Sequence, residues 1–188
     1  MPARRPRRER RAGLTLVETA LLVCLVGVLL AVFVPTFVGH LRTSKIAEAA
    51  EQLETLHLST VAYYGARHRA DGDRTRTRCL PGEAGPAPAE PATEPVSLDF
   101  ASERTAGAAT WRALGFQPVE PVRYRYTFVP AAAGCDLTAE VSATLVTLRA
   151  EGDLDGDGDM STFERRAGLD QDGELVAVGI LHVQDRTE

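Results

Sequence analysis

The chain has 188 residues, 44% of them hydrophobic and 25% charged, with a formal charge of −5. That composition is globular rather than disordered and leaves room for one ordinary domain. Its acidic balance argues against general nucleic-acid binding, because neutralised phosphates supply most non-specific affinity.

The charge is unevenly placed. Arg4, Arg5, Arg7, Arg8, Arg10 and Arg11 crowd residues 1–13 with only Glu9 against them, so the remainder is more acidic still. From Ala20 to Val34 the chain is uninterruptedly apolar. With Leu14, Leu16 and Val17 before that run and Phe37 and Val38 after it, the stretch approaches the ~20 residues that cross a bilayer core. Arginines packed on its N-terminal side keep that end cytoplasmic, so everything after His40 is expected to be exported. The alternative is a conventionally cleaved secretory signal, but no small-x-small site follows the apolar run at Val38-Gly39-His40.

The junction Ala12-Gly13-Leu14-Thr15-Leu16-Val17-Glu18 joins a basic leader ending in glycine to an apolar segment holding one glutamate. It resembles the prepilin peptidase signature of the type IV pilin and pseudopilin superfamily. The resemblance implies cleavage between Gly13 and Leu14, N-methylation of the Leu14 amine, and Glu18 as an assembly residue. Pro35 stands where many members have a helix-kinking proline. Leu14 replaces the commoner Phe, and Thr19 an apolar residue. Physical chemistry bears on Glu18 separately, since a carboxylate in a span costs about 2.5–3.5 kcal/mol near the bilayer centre, less near the interface, and usually marks function. In a filament, the Leu14 amine of a neighbouring subunit would be its partner. The simpler reading is a glutamate reaching water at the membrane edge.

Residues 14–38 thus form the expected membrane and filament-core helix, and 39–65 its amphipathic continuation. Ile46, Ala49, Ala50, Leu53, Leu56, Thr60 and Tyr63 or Tyr64 follow three-four spacing, with Lys45, Glu48, Glu51, Gln52 and Glu54 on other faces. A helix from Leu14 to about Tyr64 would extend roughly 75 Å. Gly65 and the stretch from Arg67 to Arg78 break the period, and Asp71 and Asp73 among the arginines favour a solvated loop over a basic patch.

Within the loop region 66–121, Pro81 to Pro95 reads as surface loop. Trp111 to Phe116 reads as a short helical turn closed by Gly115, with Trp111, Leu114 and Phe116 as core anchors. The segment 122–188 is the expected sheet. Val122, Tyr124, Tyr126 and Phe128 alternate with polar neighbours, as do Leu137, Ala139, Val141, Ala143 and Leu145, and a last strand runs from about Leu175 to Val183. Three strands with one amphipathic helix to cover them give an α+β class, a long N-terminal helix packed on an antiparallel sheet. In outline this is similar to the pilin head.

The segment 153–164 has oxygen-bearing residues at the first, third, fifth, seventh, ninth and twelfth positions, namely Asp153, Asp155, Asp157, Asp159, Ser161 and Glu164, with Gly158 sixth. That is the spacing of an EF-hand calcium loop, with Asp159 binding through its carbonyl and Glu164 in bidentate fashion. A strand rather than a helix is expected before it. The alternative is an acidic hairpin tip built from Asx turns, which is also the reading of Asp170-Gln171-Asp172-Gly173.

Cys24 lies in the span and reads as packing. Cys79 and Cys135 both fall in the exported part, where disulfides persist, so their pairing is expected. His40, His57, His68 and His182 have no metal-ligand spacing, and no nucleophile motif, Walker loop or dinucleotide fingerprint is present, so no enzyme activity is expected. The expected role is a structural subunit, a major or minor pilin. Its expected partners are a prepilin peptidase, other pilin subunits and, before assembly, the bacterial inner membrane. Calcium is the expected structural cofactor. The finished filament would be an extracellular pilus or a periplasmic pseudopilus, so a type II secretion pseudopilin is an alternative. The rival class is a membrane-anchored, calcium-dependent binding module that never polymerises.

Overall fold

A computed structural model describes residues 15–69, 76–135, 137, 140, 141 and 143–185. The whole expected leader 1–13 and Leu14, and with them the expected cleavage junction, lie outside those residues. The chain divides after Arg42 into two compact units.

The elements in chain order are α1 (Leu16–Gly65), β1 (His68–Arg69), β2 (Arg76–Thr77), β3 (Cys79–Leu80), β4 (Ala84–Ala87), α2 (Ala108–Leu114), β5 (Arg125–Pro130), β6 (Gly134–Cys135), β7 (Thr144–Gly152), β8 (Ser161–Leu169) and β9 (Leu175–Gln184). The class is α+β. In the first unit, α1 contributes the stretch Leu16–Val34, long and apolar enough to cross a membrane, with none of it buried. The helix continues through Pro35, whose side chain lies outside the description.

The second unit is built on an antiparallel five-stranded sheet in the order β4-β5-β7-β8-β9. Period-two alternation decides its inner face. Tyr126 and Phe128 of β5, Val146, Leu148 and Ala150 of β7, and Phe163 and Ala167 of β8 are all fully or almost fully buried. The same core takes in Ala49, Leu53, Leu56 and Tyr64 of α1, spaced to lie along one helix face. Polar pairs tie α1 to β8 and to the bend before β5. Glu48 accepts from the Arg123 backbone N–H at 2.7 Å and from its guanidinium at 3.2 Å, and Glu54 pairs with Arg165 at 2.7 Å.

A second layer of aromatics sits beside α2. Trp111 is wholly buried, its indole N–H donates to the Ala106 carbonyl, and Phe100 meets both Trp111 and Phe116 edge-on. Gly115 closes α2 in the left-handed conformation at φ 66°, as the sequence implies. The 81–95 stretch is not all loop, because β4 pairs with β5 along one edge. Gly85, at φ 95°, is required there, since a Cβ would come within 2.4 Å of the Tyr126 carbonyl oxygen.

Three strand expectations shift. The tyrosine strand begins at Arg125, and Val122 instead makes a single bridge to Val96. The strand expected over Leu137 to Leu145 starts at Thr144 and runs on to Gly152, out of phase with the expected alternation: Val146, Leu148 and Ala150 are buried, Val141 is exposed, and Leu145 is buried beside a register shift between Thr144 and Val146. Ala139 lies outside the described residues. A further strand, β8, occupies the last four residues of the expected calcium loop and the residues after them. Cys79 and Cys135 stand directly opposite one another on β3 and β6 and form a disulfide.

Candidate functional site: the head of the apolar helix and the acidic hairpin tip

At the start of α1, Thr15 and Glu18 cap the helix reciprocally. Glu18 Oε2 accepts from the Thr15 backbone N–H and from its hydroxyl, each at 2.8 Å, while the Glu18 N–H donates to Thr15 Oγ1 at 3.3 Å. This is a capping box, in which residues three apart satisfy each other's orphan N–H groups. The Thr-x-x-Glu pattern that encodes it is plain in the sequence. Thr19, a departure from the usual apolar residue, returns its hydroxyl to the Thr15 carbonyl at 2.7 Å, so it presents no unsatisfied donor. Both bonds to the Glu18 carboxylate fall on Oε2. The expected partner amine, on Leu14, lies outside the described residues.

The second candidate is the turn between β7 and β8. Carboxylate oxygens of Asp153, Asp155 and Asp157 lie within 4.8 Å of one another. Backbone N–H groups arrange them. Asp153 accepts from Gly156 at 2.7 Å and Gly158 at 3.1 Å, Asp155 from Asp157 at 3.4 Å, and Asp157 from Asp159 at 2.8 Å. Gly158 takes φ 96°, the sharp turn that a calcium loop requires at its sixth position.

The rest of the expected ligand set is not brought there. Ser161 is fully buried at the foot of the hairpin, and its hydroxyl donates to the Gly152 carbonyl at 3.2 Å. Glu164 lies three ladder pairs into the sheet, opposite Arg149. At 3.3 Å per residue that is about 10 Å from the turn. Its carboxylate is held by Arg149 at 3.1 Å and Arg166 at 2.6 Å. Burial pushes its pKa up, but the hydrogen bonds and charges of Arg166 and Arg149 outweigh that and hold it below the ordinary value. The physical reason is the element that follows the loop. An exiting helix turns its twelfth position back toward the ion, whereas β8 carries Glu164 straight away from it. The six-residue arrangement read from spacing is therefore reduced to a cluster of three aspartates, with Asp159 adjacent.

The other acidic turn, between β8 and β9, is already neutralised. Asp170 Oδ1 accepts from Asp172 and Glu174 N–H groups, and Arg78 reaches across to the Gly173 carbonyl and the Glu174 carboxylate. It is a turn, as the sequence indicates.

The described histidines do not meet. His57 is buried on α1, His68 stacks on Tyr63 with its Nε2 2.7 Å from the Tyr63 carbonyl, and His182 stands on β9. Burial pushes the Tyr124 hydroxyl up to about 12 and raises that of Tyr126 as well, so both stay neutral in the core. Comparison with protein-family models, with curated proteins and with solved structures finds no match for this chain.

Proposed function

We propose that the chain is a prepilin-like filament subunit, major or minor, of a type IV pilus or of a type II secretion pseudopilus. In this reading residues 1–13 are a leader removed by a prepilin peptidase after Gly13. The new Leu14 amine is methylated, and α1 passes from the inner membrane into a filament core. The observation that carries the reading is the exposure of α1 from 16 to 34, apolar on every side except for the Glu18 carboxylate and the Thr19 hydroxyl in its first turn. A helix apolar all round needs an apolar environment, which lipid supplies before assembly and neighbouring subunits supply after it. The non-catalytic, structural role follows from the same reading.

The capping box favours one rival. If capping is all that Glu18 does, the helix is a simple anchor for an exported binding module. Glutamine at the third helical position still completes a capping box but carries no charge. In the filament reading, Glu18→Gln keeps the helix start and loses the pairing with the neighbouring Leu14 amine. It should therefore be processed normally but recovered in sheared filaments at a small fraction of the wild-type level. Wild-type recovery of Glu18→Gln in filaments would reduce Glu18 to its cap, and absence of the wild-type chain itself from filaments would favour the anchored module.

The β7–β8 turn adds a second element to the proposal. Asp153, Asp155 and Asp157 are the residues that would hold a calcium ion, with the Asp159 carbonyl supplied by the spacing. The ion would offset three carboxylates that otherwise repel one another. Ser161 and Glu164 have structural roles in the sheet instead.

A further inference from the structure

We propose that the joint between α1 and the sheet is an acid-sensitive latch in which His57 is the sensor, holding α1 against β8 at neutral pH and loosening it in mildly acidic surroundings. The inference is independent of the filament reading and rests on where His57 sits. It lies on the helix face that carries Leu53, Leu56 and Thr60, all buried, and is itself only 6% exposed. Its Nδ1 is buried without a hydrogen-bond partner.

The charged groups that face it are Glu54, one turn earlier on its own helix, and Arg165 from β8. Those two are already paired to each other at 2.7 Å, and the Arg165 Nε is a second buried nitrogen without a partner. From β5, β7 and β9, the inner-face side chains Tyr126, Phe128, Leu148, Leu181 and Val183 add no charge near neutral pH. A proton on His57 would therefore place two cations against one carboxylate and create a buried N–H donor with nothing to accept it.

Burial, and next to it the Arg165 charge, hold the His57 pKa below its ordinary 6.5, with Glu54 opposing. Between those two values the undocked helix binds more protons than the docked one. Docking is therefore at full strength above about pH 6.5 and weakens as pH falls below it. Glu164 is also held below its ordinary value, 4.5, and remains ionised through that window, so the acidic step belongs to His57.

The test is hydrogen exchange on the full chain in detergent micelles at pH 7.5 and pH 5.2, with rates corrected for intrinsic exchange. Wild-type amides of α1 from 50 to 61 should lose protection at the lower pH, because the undocked helix takes up the proton that the docked one resists. His57→Gln, which cannot gain the proton, should show no such loss. Equal wild-type protection at the two pH values would overturn the latch, and so would a His57→Gln variant that keeps the wild-type loss. Should that variant not fold, titration of the His57 ring by NMR in the unaltered chain decides the matter. A pKa below 6.5 supports the latch, and a value at or above 6.5 overturns it.

Discussion

Along 16–34 of α1 every side chain is exposed, whereas along 46–64 Ala49, Leu53, Leu56, His57, Thr60 and Tyr64 are buried and the residues between them are not. One helix thus meets two kinds of surroundings. In the second stretch, apolar positions three and four residues apart form one stripe, and the sheet covers it. In the first stretch no stripe exists, because leucine, valine and phenylalanine fill all faces, and none of residues 16–34 is buried. The difference teaches that stability of the head and placement of the apolar stretch are separable properties, which single changes should affect one at a time.

The largest separable effect should come from the disulfide. Cys79 and Cys135 are 56 residues apart in sequence, and closing a loop of that size stabilises by about 4 kcal/mol on the chain-entropy model. Cys79→Ser with Cys135→Ser should lower the head's denaturant stability by about that amount, while membrane extraction of the apolar stretch stays unchanged. A joint loss of both would break the separation.

Leucine truncation sharpens the comparison within a single helix. Leu53 is completely buried, so Leu53→Ala should cost the head about 3 kcal/mol, read from its denaturation midpoint in micelles. Leu25 is 61% exposed, and Leu25→Ala should leave that midpoint where it was. Equal effects from the two would mean that the two stretches fold as one unit.

A smaller pair of effects divides the β7–β8 hairpin. At one hundred times its dissociation constant, calcium would add about 2.7 kcal/mol to a head that binds it, and less at lower occupancy. Asp155→Asn with Asp157→Asn should abolish the calcium-dependent rise in melting temperature. Glu164→Gln should leave that rise intact and cost about 1–2 kcal/mol at all calcium levels, because it weakens bonds to two half-exposed arginines. A melting temperature that is the same in chelator and in millimolar calcium would leave Asp153, Asp155 and Asp157 as an acidic turn.

The stretches differ also in how far their residues disclose them. The apolar run, the buried stripe of α1, α2 with its glycine cap and the last strand are local patterns, and each is legible from neighbours within one or two turns. Strand β8 is not, because Glu164, Arg165 and Arg166 interrupt its alternation and the calcium-loop spacing claims its first four residues. Arg165 points inward only because Glu54 waits on α1, a pairing 111 residues apart that no local pattern announces. The partners of Glu164 depend in the same way on the register of β7 against β8. In the candidate site, the three clustered aspartates were readable from their spacing, and the departure of Glu164 was not. The Thr15–Glu18 cap lay open in the sequence and needed only the question of how the helix begins.

The most direct test of the central claim is the intact mass of the protein extracted from membranes, with and without a co-expressed prepilin peptidase. The account predicts that the peptidase removes residues 1–13 and leaves a chain beginning at Leu14, heavier by one methyl group where the N-methyltransferase activity is present. It also predicts that Gly13→Val retains the whole leader. A wild-type chain that keeps residues 1–13 in the presence of the peptidase, or one cut on the far side of the apolar stretch, would contradict it.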